Sequence, residues 1–350
     1  MKIKEFLKPS FWKIVSVIIV TMGLISTYLR FSLGLGATTN LKDSVPWGLW
    51  IGFDFIGVGL AAAGFTIAAT VHIFNIHKYE PLVRPAILTA FLGYSVVVCL
   101  LLVDLGRPEN FWHPLVMWNI HSVMFEITWC IICYSTVLLL EFAPVILEKF
   151  NLKAPIKFLK IISIPVVIAG VLFSTLHQSS FGSLYLIVPG KLHPLWYSSL
   201  LPIHFYVSCI AAGLSMIIFE SYLIARGCTK EDGFCNTGLK LNILSGAAFV
   251  VWIALIAGLL LKIYDFVSND KLIYLTTPSM ETSLFYLEII VGTVLPIYLL
   301  SYKKFREDKN ISLVLFGLKS VSDKIHGKDF SWGGTFSYPN DLINFRLGHV

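Results

Sequence analysis

The chain has 350 residues, 56% of them hydrophobic and 14% charged, with a mean hydropathy of +0.76. A water-soluble domain could not bury that much apolar surface, so the composition indicates a polytopic membrane protein. The formal charge of +6 would suit an acidic partner, but the positions of the basic residues assign them to membrane orientation rather than to nucleic acid.

A transmembrane helix needs about 20 predominantly apolar residues. Eight such runs follow one another, at about 11–30, 48–73, 85–104, 118–141, 157–177, 199–224, 240–264 and 281–302. The first lacks a small-residue cleavage site and reads as a retained helix. Gly57-Val-Gly59 and the small-residue run ending at Gly64 suit close helix packing. With the N-terminus inside, 21 of the 27 Lys and Arg residues fall on the inner side and 6 on the outer. The expectation is therefore an all-α, polytopic transmembrane helix bundle of about eight spans, arranged as two four-helix bundles, with both termini cytoplasmic. The six cysteines predict no disulfide framework. Cys99, Cys130, Cys133 and Cys209 lie in apolar runs, and Cys228 and Cys235 in an inner, reducing-side loop. Cys130 and Cys133, at i,i+3 within one span, read as small buried hydrophobes.

The outer connections are rich in Gly, Pro, Trp and His. They carry Gly34-Leu-Gly36, Pro46-Trp-Gly-Leu-Trp50, Asp104-Leu-Gly-Arg-Pro108, Trp112-His-Pro114 and His193-Pro-Leu-Trp196. The inner loops are plainer and charged, so chemistry or docking is expected outside. The stretch Leu172–Phe205 reads as an aromatic shelf that leaves the fifth span at His177 and forms one wall of a site. An aromatic belt with turn residues is the alternative.

Ionisable groups inside apolar runs cost about 3 kcal/mol each on insertion scales, so each needs a reason. Glu220 toward the inner end, Glu126 closer to the outside and His177 at the outer rim form a graded series suited to proton transfer, with Tyr94 mid-span in the third run. Plain helix–helix hydrogen bonds would explain the same residues. Asp54 near the outer face suits either the site or a structural pairing with Arg107 or Arg30. His121, His177 and His204 all lie toward the outer face, which leaves a single bis-histidine haem open. The only inner histidines, His72 and His77, sit on one helix end and make no second pair. The chain has no Walker motif, no G-x-G-x-x-G after a strand and no Cys cluster, and so no nucleotide or iron–sulfur site of its own.

Arg30-Phe31, Gly34–Ala37, Thr39–Leu41, Pro46–Asp54, Asp104–Pro108, His177–Gly182 and His193–Tyr197 together resemble the NrfD/polysulfide-reductase membrane-subunit family. Within it they are most similar to the so-called b-type cytochrome subunit of hydrogenase-2-type NiFe-hydrogenases. The likeness covers about residues 10–305. It implies a quinone-reactive domain over 1–302, followed by a basic cytoplasmic tail at 303–350. Hydrogenase-type members continue through two further helices, whereas here Ile311–Leu318 is too short to span. The resemblance further implies a multi-pass subunit of the bacterial inner membrane, without haem or metal of its own and not catalytic for H2 by itself. Such a subunit passes electrons between an extracytoplasmic iron–sulfur partner, wired to NiFe-hydrogenase large and small subunits, and menaquinone in the first bundle. Carried over by position, Tyr94, Glu126, His177 and Glu220 handle protons or quinone. Asp54, Arg107 and Trp50 join His177 and Tyr94 at the quinone. A haem-bearing cytochrome anchor is one alternative. A solute or ion transporter is another, disfavoured because the irregular sequence falls in the outer loops rather than mid-span.

Overall fold

The computed structural model describes residues 11–39, 41, 48–187, 192–227 and 241–306, and among these every regular element is helical. In chain order the longer elements are α1 (Phe11–Leu33), α2 (Leu49–Ala61), α3 (Ala63–His72), α4 (Glu80–Asp104), α5 (Val123–Lys149), α6 (Lys153–Ile161) and α7 (Ser163–Leu186). They continue with α8 (Leu201–Gly227), α9 (Leu241–Ser268), α10 (Met280–Leu287), a π-helical turn (Glu288–Val294) and α11 (Leu295–Ser301). Eight stretches are long and apolar enough to cross a membrane, with α2 and α3 forming one and α10 to α11 another. Successive spans alternate in direction, so the described connecting residues 105–122, 192–200 and 269–279 share one end of the molecule, called here the aromatic end.

Helices α2/α3, α4, α5 and α7 form a four-helix bundle, in which α7 packs along α5 and α4 lies against α2, α3 and α5. Helix α8 packs on α7 and α9 and joins a second group made of α8, α9 and α10–α11. Helix α1 lies outside both groups and meets the body chiefly at α4. The eight described spans thus divide four, three and one, where the sequence suggested four and four. In lipid, apolar side chains gain nothing by leaving the hydrocarbon, so helices associate through close packing and polar contacts. Helix α1 exposes apolar side chains on all sides and buries Arg30. Glycines allow the close contacts elsewhere. A Cβ on Gly57 would lie 2.5 Å from Val97 Cγ2, one on Gly64 2.6 Å from Ala90 Cβ, and one on Gly170 would run into the Phe65 ring.

Three features depart from the sequence reading. The fifth span continues to Leu186, so His177, Gln178 and Ser180 are buried positions within a helix and not part of a loop shelf. Their polarity suggested a helix end, but neighbouring helices cover them. The second span is interrupted at Ala62, where the Tyr134 hydroxyl donates to the Ala61 carbonyl at 3.3 Å. The last span contains the π-turn, in which the Leu295 N–H reaches the Ile290 carbonyl. Pro296 has no N–H for the Gly292 carbonyl, which favours the wider turn. Irregular backbone is therefore not confined to the loops.

The seam between the two helix groups is filled at the end away from the aromatic loops. Ile67 and Val71 of α3, Leu82 and Ala86 of α4, Leu214 and Ile217 of α8, and Leu244 and Ala248 of α9 pack there as one apolar cluster. Toward the aromatic end the seam opens.

Candidate functional site

Within the first bundle, Tyr94 on α4 and His177 on α7 are 2% and 1% exposed. The Tyr94 hydroxyl and His177 Nε2 share a hydrogen bond of 3.1 Å. The Tyr134 ring stands edge-on to Tyr94 at 4.8 Å, and Phe181 lies 4.4 Å from the imidazole. His177 Nδ1 has no hydrogen-bond partner among the described residues. On the same helix one turn further, Ser180 Oγ donates to Glu126 Oε1 at 2.5 Å. Glu126 is an exposed residue in the first turn of α5, behind the Ser122 N-cap, where the helix dipole favours a carboxylate. Glu126 therefore lies nearer the aromatic end than His177, which is nine residues, about 13 Å, inside the end of α7. That reverses the order suggested by the sequence.

Glu220, half-buried on α8, accepts a hydrogen bond from Thr89 Oγ1. Thr89 precedes Tyr94 by five residues on α4, a rise of about 7.5 Å. The structure thus strings Glu220–Thr89, Tyr94–His177 and Ser180–Glu126 along α4 and α7.

Asp54 is 3% exposed, and neither carboxylate oxygen has a hydrogen-bond partner among the described residues. It shares the buried face of α2 with Val58 and Ala61, which belong to the cluster containing Tyr94. The pairing with arginine is not formed. Arg30 donates from Nε to the Val103 carbonyl at 2.5 Å and from Nη2 to that of Leu105, at the C-terminal end of α4. Arg107 is exposed in the following loop. The side chain of Trp50 lies outside the described residues, as do Lys191, Cys228, Cys235 and the tail from 307 onward.

The open part of the seam is a cavity of about 190 Å³ between α2, α7, α8, α9, the π-turn and the segment 192–201. Its polar end contains a network that the sequence reading missed. Glu288 accepts from Lys262 Nζ at 2.8 Å and from Trp196 Nε1 at 2.6 Å. Asp265 accepts from Lys271 Nζ and from Ser198 Oγ, each at 2.6 Å, while Lys271 also donates to the Tyr197 carbonyl at 2.6 Å. These contacts tie the Trp196–Ser198 segment to α9 and the π-turn. His193 sits beside them, its imidazole held below the usual histidine range by burial against the opposing pull of Glu281. A signal was present in the sequence: Glu288 lies inside the eighth apolar run, as Glu220 lies inside the sixth. None of Tyr94, His177, Asp54 or Glu126 lines this cavity, although Gln178, next to His177, does.

A family profile described as polysulphide reductase, NrfD, matches residues 37–319. A protein of Nitratidesulfovibrio vulgaris is 47% identical over 226 residues, covering 64% of this chain and 58% of that one. The probable Ni/Fe-hydrogenase 2 b-type cytochrome subunit of Escherichia coli is 33% identical over 299 residues, covering 84% of this chain and 74% of that one. The integral membrane subunit of menaquinone reductase from Nitratidesulfovibrio vulgaris is 33% identical over 175 residues, covering 48% and 42%. The chain spans 58% of the first relative's length and less than half of the third's. The profile match across most of the chain, on an all-helical multi-pass membrane scaffold, makes this protein a member of the NrfD family.

Proposed function

We propose that the chain is the quinone-reactive membrane subunit of a respiratory oxidoreductase complex. In this reading an iron–sulfur partner docks at the aromatic end, on the outer face of a bacterial inner membrane, and menaquinone is the redox partner on the lipid side. The relatives named for a hydrogenase-2 b-type cytochrome subunit and for menaquinone reductase support it. They also favour a NiFe-hydrogenase as the catalytic partner, reached through the iron–sulfur subunit. The basic inner loops support placing both termini in the cytoplasm.

The observation that carries the reading is the buried Tyr94–His177 pair in a bundle that also leaves Asp54 Oδ1 and Oδ2 and His177 Nδ1 without partners among the described residues. Buried polar atoms are normally satisfied, so such orphans fit a site completed by a ligand. Tyr94, His177 and Asp54 are the residues that would hold the quinone headgroup, with Trp50 and Arg107 at the same end of the bundle. When bound, a quinone takes up two electrons and two protons on conversion to a quinol.

The chain's own groups supply the rest. Tyr94 and His177 hold a proton between the phenolic oxygen and Nε2, each fixing the other's orientation. Glu220, bonded to Thr89, takes protons from the cytoplasmic side. Thr89 and Tyr94 are separated by about 7.5 Å along α4 and by about 140° around it, so a chain of waters rather than a single one would carry the proton between them. Glu126, through Ser180, connects the pair to the aromatic end. Uptake from the inner side makes the step electrogenic.

The test is Glu220→Gln in native membranes, measuring quinone-dependent H2 oxidation together with proton uptake. Slowed turnover and weakened coupling are expected, and undiminished values of both would remove Glu220 from the relay. In a haem reading with ligands drawn from His121, His177 and His204, His177 would have to give up Nε2, which faces Tyr94. A reduced-minus-oxidised spectrum of the purified subunit, with or without an α-band, separates the two.

A further inference from the structure

We infer that the seam between the two helix groups is a second ligand site, separate from Tyr94 and His177, for a neutral aromatic dicarbonyl on an apolar tail: a quinone in its oxidised form. The identity of the ligand rests on the quinone reading above, while the existence of the site rests on the seam itself.

The space is kept open by residues with no other packing duty. A Cβ added to Gly59 of α2 would stop 3.9 Å from Cys209 Cβ, and one added to Gly258 of α9 would stop 3.8 Å from Val207 Cγ1, both ordinary contacts. At Gly57, Gly64 and Gly170 an added Cβ would collide with the neighbouring helix. Gly59 and Gly258 are not needed for helix approach, and both face the cavity. Their smallness leaves volume instead of closing a contact.

The lining specifies the shape and chemistry of an occupant. Phe55, Tyr185 and Phe205 form a mutual aromatic group on one wall, with centroid separations of 5.7, 6.0 and 5.5 Å, a surface suited to a flat aromatic ring. The rest of the wall is mainly aliphatic, with polar groups from Gln178, His204, Ser208 and Thr293, and the polar end is capped by the Lys262–Glu288 pair. Lys262 has three N–H donors and gives one to Glu288, so donors remain for a carbonyl oxygen.

The charge balance of the cap disfavours the main competitor. Lys262 is matched by Glu288 and Asp265 by Lys271, so the formal charges of the cap cancel. A phospholipid phosphate gains no net attraction there, whereas a neutral acceptor needs none. The site is also distinct from the first bundle. Gln178 and His177 are neighbours on α7 whose side chains diverge by about 100° around the helix. Gln178 lines the seam, and His177 faces Tyr94.

The test counts menaquinone-4 bound at saturation per chain, by extraction and absorbance, on the intact complex in nanodiscs. Two equivalents are expected for the wild type, and one for Gly258→Leu, whose longer side chain enters the cavity. Gly59→Leu fills the same cavity from α2 and should also bind one, which guards against a folding defect in either variant; melting temperatures report on that directly. One equivalent in the wild type, unchanged in both leucine variants and lost in His177→Ala, overturns the seam site and leaves the proposed function intact. One equivalent lost in the leucine variants but kept in His177→Ala upholds the seam site and overturns the first-bundle one. No binding at all overturns both. Loss of a co-purified phospholipid instead of menaquinone in the leucine variants overturns the ligand assignment.

Discussion

The Tyr94 hydroxyl and His177 Nε2 meet at 3.1 Å across the interface of α4 and α7, both side chains shut away from the surface. Neither helix alone could orient its polar group in an apolar interior, and the contact fixes both. Tyr94→Phe keeps the ring and its edge contact with Tyr134 but removes the hydroxyl. If the pair handles protons for the quinone, turnover should fall about 100-fold or more, while assembly of the complex and electron transfer to a water-soluble acceptor upstream remain near normal. Steady-state rates with the two acceptors would separate these effects. Equal loss with both would point to a structural role.

The Lys262–Glu288 ion pair predicts an asymmetry. Glu288→Gln leaves the partly buried Lys262 cation, 19% exposed and held over the Phe285 ring, without its counter-charge, a change that should cost about 1.5–3 kcal/mol. Adding Lys262→Met removes the stranded charge, so the double variant should melt closer to wild type than Glu288→Gln alone. Thermal unfolding of the purified complex measures both, and strictly additive losses would mean the pair is not coupled.

Arg30 holds α1 to the body through two carbonyls at the C-terminal end of α4, where the helix dipole favours a cation. Arg30→Gln should lose about 1.5–3 kcal/mol of docking. The effect should be local, with faster amide exchange at the end of α1 and in residues 103–105 and little change in α7. Uniform acceleration across the chain would refute it.

Two glycine substitutions should diverge. Gly170→Ala drives a methyl into the Phe65 ring and should lower stability by about 1–3 kcal/mol or more. Gly258→Ala meets only ordinary contact at 3.8 Å and replaces a helical glycine, so it should be neutral or stabilising by up to about 1 kcal/mol. Melting temperatures of the two variants decide the matter.

The sequence by itself determined the class, the eight spans and the residues worth watching, because hydrocarbon imposes a length and polarity rule on each segment independently of its neighbours. Glu220 and His177 stood out as costly groups in apolar runs, and Gly57 and Gly64 as packing positions, by that local rule. Only the tertiary structure decided who meets whom. His177 looked like a helix end because its run turns polar there, yet Tyr94 lies against it from a helix more than eighty residues away and α7 continues. Arg30 seemed available to Asp54 but is bonded to carbonyls of α4. Glu288 and Lys262 became a pair, and Gly258 a source of space, only once α9 and the π-turn were set against α2 and α8. Such pairings depend on distances between segments remote in the chain, which hydropathy and helical spacing do not encode.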